Sequence, residues 1–453
     1  MSPDIETLAT WDDAYLWHPF TPHSVYRDED PLLVAAGEGN YLIDTSGRRY
    51  LDGVASLWCN LFGHRRPEID AAIRAQLDRI AHSTLLGNSA VPAIQLAQRL
   101  IAIAPKGLTR VFFSDDGSTA VEVALKMALQ FWQQHDGGRE RQRDRFVTLS
   151  LAYHGDTVGS VSLGGISLFH ERYSPLLFET IKAPAPYCYR CPLGLERATC
   201  ALDCISQFEQ MVRAEGERVA AIVIESGVQG AAGMVVQPEG FLRRARAVAD
   251  EVGCLLILDE VATGFGRSGR MFACETEDVS PDLLCLAKGL TGGYLPMAAT
   301  LATEQIFRAF LGPPAEGRTF FHGHTYTGNA LAAAAALATL DIFVNDDVLA
   351  TLPGKIARLT SELARLSSLR AVGDIRQFGL AAGIELVADR DAKTPFPPGE
   401  RRGMRVCRAA RARGVFLRPL GDTIICMPPL SITDAEIVHL VDAIAHGIRE
   451  TCP

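Results

Sequence analysis

Two short apolar runs constrain this chain most: Cys254-Leu255-Leu256-Ile257-Leu258 and Leu283-Leu284-Cys285-Leu286-Ala287. Neither alternates with polar residues, and each is too brief for an ordinary helix. Such runs read as strands buried on both faces, in a parallel sheet covered by helices on either side. Both end in charge. The first delivers Asp259-Glu260, and the second delivers Lys288. Between them lies Gly264-x-Gly266-x-x-Gly269, which matches the dinucleotide fingerprint. That motif needs a helix opening at its third glycine and an acid after the next strand. Arg270 to Ser280 carries no long helical period and the next strand ends in Lys288, which argues against a dinucleotide.

The surrounding pattern agrees with a parallel sheet. Helical periods at Pro92–Ala104, Ser118–Gln134, Phe208–Glu215 and Phe241–Val252 alternate with strand-like runs at Thr109–Ser114, Phe146–Leu151 and Val219–Ile224. An α/β fold is expected, with a mostly parallel central sheet and helices on both faces. Beyond Asn345 the pattern changes to long helices and short strands, the mark of a smaller α+β domain. The turn-like Thr45-Ser46-Gly47-Arg48 joins two strand runs into a hairpin, expected to pack with that domain. Three parts are predicted: an N-terminal arm and hairpin (1–65), a large domain (66–345) and a C-terminal small domain (346–453). Residues 1–30, with Pro19 and Pro22, predict an ordered, non-helical arm.

Composition narrows the function classes. The net charge of -9 argues against a nucleic-acid partner. No apolar run approaches the ~20 residues of a membrane helix, and no signal peptide is visible, so a cytoplasmic protein is expected. Eleven cysteines, an odd number, suit reduced thiols. Four cluster as Cys188-x2-Cys191-x8-Cys200-x3-Cys204, a spacing compatible with structural zinc or an iron–sulfur cluster, although no metal is the favoured reading.

Ligands of open α/β sheets gather at the carboxyl ends of the strands. Asp259 and Lys288 stand at two such ends. Together they offer an anion for a ring nitrogen and an amine for an aldehyde, which suits pyridoxal phosphate. Ser114-Asp115-Asp116-Gly117-Ser118-Thr119 opens a helix and reads either as a plain cap or as a phosphate site at Gly117 and Ser118. Its two aspartates can point away from that site. Tyr153, after another strand, is a packing residue or a platform for a planar ring, and neighbouring His154 reads as structural. Glu225 is a surface acid or a group that orients a ring substituent. Phe321 to Asn329 is dense in small polar groups; it reads as helix capping, with Thr325 as an alternative phosphate contact.

Taken together, Leu258-Asp259-Glu260-Val261-Ala262-Thr263-Gly264-Phe265-Gly266-Arg267-Ser268-Gly269 and Ala287-Lys288-Gly289-Leu290-Thr291-Gly292-Gly293 resemble the class III, fold type I, pyridoxal-phosphate aminotransferases. The likeness runs over almost the whole chain. It implies that Lys288 forms the Schiff base and moves protons, and that Asp259 pairs with the pyridinium. It further implies Tyr153 and Val261 on the two ring faces and Gly117 and Ser118 on the phosphate. His324 and Thr325 would complete the phosphate site from the partner of an obligatory homodimer. Phe20, Leu57, Trp58, Arg267, Gly323 and Arg418 would contact substrates, with Arg267 presented by its glycine-rich turn. Trp17-His18-Pro19-Phe20-Thr21, His82-Ser83-Thr84, Phe272-Ala273-Cys274-Glu275 and Arg418-Pro419-Leu420-Gly421 are similar to the branch that aminates 8-amino-7-oxononanoate in biotin biosynthesis. Its amino donor is S-adenosylmethionine or, in a subgroup, L-lysine. Phe20, Leu57, His324 and Ile425 depart from the adenosylmethionine pattern. A broad ω-amino acid or diamine transaminase of the same class is the alternative.

Overall fold

The computed structural model describes residues 4–452. A seven-stranded sheet carries the site. Its strands run in the order Leu108–Ser114, Ala298–Thr303, Leu283–Leu286, Leu255–Asp259, Val219–Glu225, Arg145–Leu149 and Ile181–Ala183. Only Ala298–Thr303 is antiparallel, to both of its neighbours. No strand is expected there, because its six residues are mostly alanine and threonine and show no alternation.

Alternate residues of the central strands enter different cores. Leu256 and Leu258 pack with Phe241 and Val248, while Leu255 and Ile257 pack with Ala120, Ala124 and Phe131. The helices Phe241–Val252 and Gly117–Gln134 therefore cover opposite faces of the sheet. This is why the two runs tolerate no polar residue until their ends.

The strands Tyr41–Asp44 and Arg49–Asp52 form the expected hairpin. Val34–Glu38 extends it on one side, and Val415–Phe416 pairs parallel with Arg49–Asp52 on the other. A second four-stranded sheet, wholly antiparallel, joins Val372–Phe378, Ala381–Leu386, Thr423–Cys426 and Arg418–Leu420. The long closing helix Asp434–Thr451 starts from a capping box between Thr433 and Glu436.

The N-terminal arm differs from expectation. Ile5–Tyr15 is an α-helix, started by Asp4, whose side chain accepts from the Thr7 N–H at 2.7 Å. The prolines act only beyond it, keeping Leu16 to Pro22 non-helical.

Candidate active site

Three strand ends lie side by side. Asp259 is in register with Glu225 on one neighbour and with Cys285 on the other, three residues before Lys288. Lys288 leaves its strand in a left-handed conformation, with φ 43°. Burial pushes its amine below the ordinary value, against the opposing pull of Asp259 and Glu225. The Lys288 Nζ lies 4.8 Å from the centre of the Trp58 indole.

The carboxylate of Asp259 is braced from two sides. His154 Nδ1 lies 2.7 Å from Oδ2, and the Val261 N–H donates to Oδ1 at 2.9 Å. His154 is fully buried. Burial lowers its pKa, but the hydrogen bond and charge of Asp259 outweigh that and the net direction is up. Glu225 is buried too, which removes its reading as a surface acid. It accepts from the Tyr153 N–H at 3.1 Å and the Gly230 N–H at 2.9 Å. Burial pushes its pKa up to about 7. The Tyr153 hydroxyl donates to Asp156 Oδ2 at 2.7 Å, and burial with that bond holds the phenol well above its ordinary range.

The helix Gly117–Gln134 opens beside these groups. Asp116 does not simply point away: it is the N-cap, accepting from the Thr119 N–H at 2.9 Å. This leaves the first two N–H groups, of Gly117 and Ser118, for an anion. A side chain on Gly117 would come within 2.5 Å of Val261 Cγ1, so only glycine lets the helix end approach the Asp259 strand end. Asp115 turns to His324, with Nδ1 and Oδ2 3.0 Å apart.

Residues 24–448 match the model of the family described as Aminotransferase class-III. The chain belongs to the class III aminotransferases. It is 58% identical over 97% of its length to the adenosylmethionine-8-amino-7-oxononanoate aminotransferase of Nitratidesulfovibrio vulgaris, covering 81% of that protein. The crystal structure of the Methanocaldococcus jannaschii protein of the same name superposes with a TM-score of 0.94 at 45% identity, covering 99% of this chain and 100% of that one. A PLP-bound amine transaminase from an uncultivated Pseudomonas species superposes with a TM-score of 0.91 at 38% identity, covering 96% of this chain and 99% of the other.

The cofactor of this aminotransferase is pyridoxal 5′-phosphate. The residues present fit it: a half-buried lysine amine, a buried carboxylate on the next strand, and two free N–H groups beside a glycine that no larger residue can replace. Around them the aminotransferase places Phe20 and Arg418 together, since Arg418 Nη2 donates to the Phe20 carbonyl at 3.5 Å. The Phe20 ring meets Phe169 edge-on at 5.2 Å, and Phe169 meets Tyr153 at 6.3 Å. Phe169 carries no signal in the sequence; only long-range packing brings it here. Leu57 is exposed and Trp58 buried. Gly323 and Thr325 are exposed, and the Thr325 carbonyl lies 2.8 Å from His82 Nε2.

One expectation needs correction. Arg267 is not presented by its turn. It is fully buried, with its guanidinium on the main-chain carbonyls of Pro428 and Asn60, because the turn folds inward against the C-terminal segment. Ile425 is buried in the antiparallel sheet as the cross-strand partner of Arg418. The four clustered cysteines line one cavity of about 20 Å³ with Arg197 and Tyr187. Among the described residues no group of three or more His, Cys, Asp or Glu is placed to hold a metal ion.

Proposed function

We propose that the protein aminates 8-amino-7-oxononanoate to 7,8-diaminononanoate, a step of biotin biosynthesis. The observation that carries this reading is the half-buried Lys288 amine beside the braced Asp259 carboxylate, joined to the names of relatives 58% and 45% identical. When bound, pyridoxal phosphate supplies an aldehyde for amine exchange and a ring that takes up electrons. Lys288 would hold the aldehyde through its amine and, once free, would accept and return the proton. Its lowered pKa suits that work, because the neutral amine is the nucleophile and base. Asp259, held by His154, would keep the ring nitrogen charged, and Val261 and Tyr153 would bound the ring. Gly117 and Ser118 would hold the phosphate through their N–H groups.

Arg418 takes the substrate's carboxylate at the mouth, where Phe20, Leu57 and Trp58 form the apolar walls. Gly323, His324 and Thr325 complete the site of a second copy of the chain. The exposed apolar side chains of Trp17 (91%), Leu86 (88%) and Phe321 (81%) support a homodimer that covers them. No described helix is long and apolar enough to cross a membrane, in keeping with a cytoplasmic site of action.

S-adenosylmethionine is the proposed amino donor, on the names of the relatives. L-lysine is the second reading, because Phe20 and Leu57 present no hydroxyl or indole to an adenosyl group. The purified protein, given pyridoxal phosphate and 8-amino-7-oxononanoate, is assayed by mass spectrometry with each donor in turn. Product with S-adenosylmethionine is expected. Product with lysine alone would reassign the donor. Product with neither, alongside turnover of β-alanine or putrescine, would replace the biotin assignment with a broad diamine transaminase.

A further inference from the structure

Residues Ala55 to Trp58 form the most contorted stretch of backbone near Lys288. Ala55, Ser56 and Trp58 all have positive φ, at 49°, 63° and 66°, and none is glycine. Ser56, with ψ −67°, adopts the rare γ-turn conformation, and Leu57 sits at φ −150°, ψ 62°. Backbone strain of this kind persists only where its surroundings over-determine it, and it concentrates at functional sites. Here the over-determining group is Asp52.

Asp52 is fully buried at the end of the strand Arg49–Asp52, which is itself held between Tyr41–Asp44 and Val415–Phe416. Its Oδ1 accepts from the Ser56 N–H at 2.9 Å and its Oδ2 from the Ser56 hydroxyl at 2.9 Å. His64 Nε2 lies 3.1 Å from the same Oδ2. One carboxylate thus satisfies both donors of the strained residue from a rigid sheet. What the turn presents is the Trp58 indole. Its face lies 4.8 Å from Lys288 Nζ, and Gly230 leaves it room, since a side chain there would meet the ring at 3.2 Å.

We propose that Asp52 is a positioning residue for amino transfer: by holding Ser56 in its strained turn it fixes Trp58 against the Lys288 amine. The proposal rests on the reading of Lys288 as the reactive amine. Asp52 touches no reacting group; it acts through Trp58. Trp58 in turn keeps water from the amine and sets the wall against which a substrate packs. Removing the carboxylate lets the backbone relax to negative φ and swings the indole away.

Two measurements on the full-length protein test this. In a double-mutant cycle, Asp52→Asn lowers kcat/KM about tenfold or more in the wild type but less than about twofold in Trp58→Ala. Ser56→Ala follows the same pattern with a smaller loss, and it stands in if Asp52→Asn does not fold. Equal losses on both backgrounds, the result of a merely structural role, would overturn the proposal. The second measurement needs no turnover. Before pyridoxal phosphate is added, the rate at which trinitrobenzenesulfonate labels Lys288 is followed by mass spectrometry of its peptide. Asp52→Asn and Ser56→Ala should both raise it, up to the rate in Trp58→Ala; a wild-type rate in these variants refutes the claim. If the wild type lacks aminotransferase activity, the reading of the site fails, while the labelling rates still decide the role of Asp52.

Discussion

His154 Nδ1 and Asp259 Oδ2 lie 2.7 Å apart, both buried, with the Nε2 of His154 left without a partner. The contact is a charge-assisted hydrogen bond in a place water does not reach. The Nδ1 proton donates to the carboxylate, so the histidine fixes where the Asp259 charge points. His154→Ala would strand that carboxylate with a single remaining donor, the Val261 N–H. Loss of one partner of a buried charged pair costs about 3–5 kcal/mol. We expect His154→Ala to lower the urea midpoint and to weaken pyridoxal phosphate binding about tenfold or more. His154→Gln, which keeps a donor, should recover part of both. Spectroscopic titration of the cofactor into each variant, beside urea unfolding, checks this; wild-type binding in the alanine variant would refute it.

Glu260, the next residue, serves the fold rather than the chemistry. Its side chain is fully buried and accepts from the Ala273 N–H at 2.6 Å and the Cys274 N–H at 2.7 Å. It thereby ties the strand end to the turn that follows the glycine-rich loop. Glu260→Ala leaves two buried N–H groups unsatisfied, each costing about 1–3 kcal/mol. A lower urea midpoint with an unchanged denaturant slope is the expected outcome. An unaltered midpoint would mean that water replaces the carboxylate.

Much of this site is legible in the sequence, for a physical reason. A strand buried on both faces cannot hold a charge until it ends, so Asp259 and Lys288 mark the carboxyl edge of the sheet themselves. Asp116, Gly117 and Thr119 likewise announce a helix start. What stays hidden depends on distant contacts. The antiparallel strand Ala298–Thr303 is built of small residues whose place is set by both neighbours. The helix Ile5–Tyr15 buries no residue, so no apolar face betrays it. Arg267, in a glycine-rich turn, reads as an exposed cation; its burial is visible only once Pro428 and Asn60 are seen around it. The positive φ angles of Ala55, Ser56 and Trp58 belong to residue types that ordinarily avoid them. Phe169 reaches Phe20 across about 150 residues of chain, a distance no local pattern spans.

The role given to Lys288 has a direct optical test. With pyridoxal phosphate added, the wild type should be coloured. Lys288→Ala removes the amine, and Lys288→Arg keeps a cation that cannot serve as the nucleophile. Both should lose the visible band of the wild type and at least about 10³-fold in kcat/KM. Absorption spectra after gel filtration, with single-turnover assays, decide the matter. A Lys288→Ala variant that keeps the wild-type band would place the attachment elsewhere.

Glu225 supplies a pH dependence with a definite sign. Its pKa rises from 4.5 to about 7 on folding, chiefly because burial disfavours the charge, although two backbone N–H groups oppose the rise. An acid whose folded pKa is raised favours the folded state in its protonated form. Its contribution is therefore fully present below pH 4.5 and is lost as pH climbs through about 7. At 1.36 kcal/mol per tenfold change in proton affinity, the amount at stake is on the order of 3 kcal/mol. Glu225→Gln stays neutral and keeps one acceptor, so the pH-dependent loss should vanish. Before cofactor is added, the difference in unfolding free energy between wild type and Glu225→Gln should shift in favour of the variant from pH 5 to pH 8. Parallel stability curves for the two proteins across that range would show that Glu225 does not change its protonation there on folding.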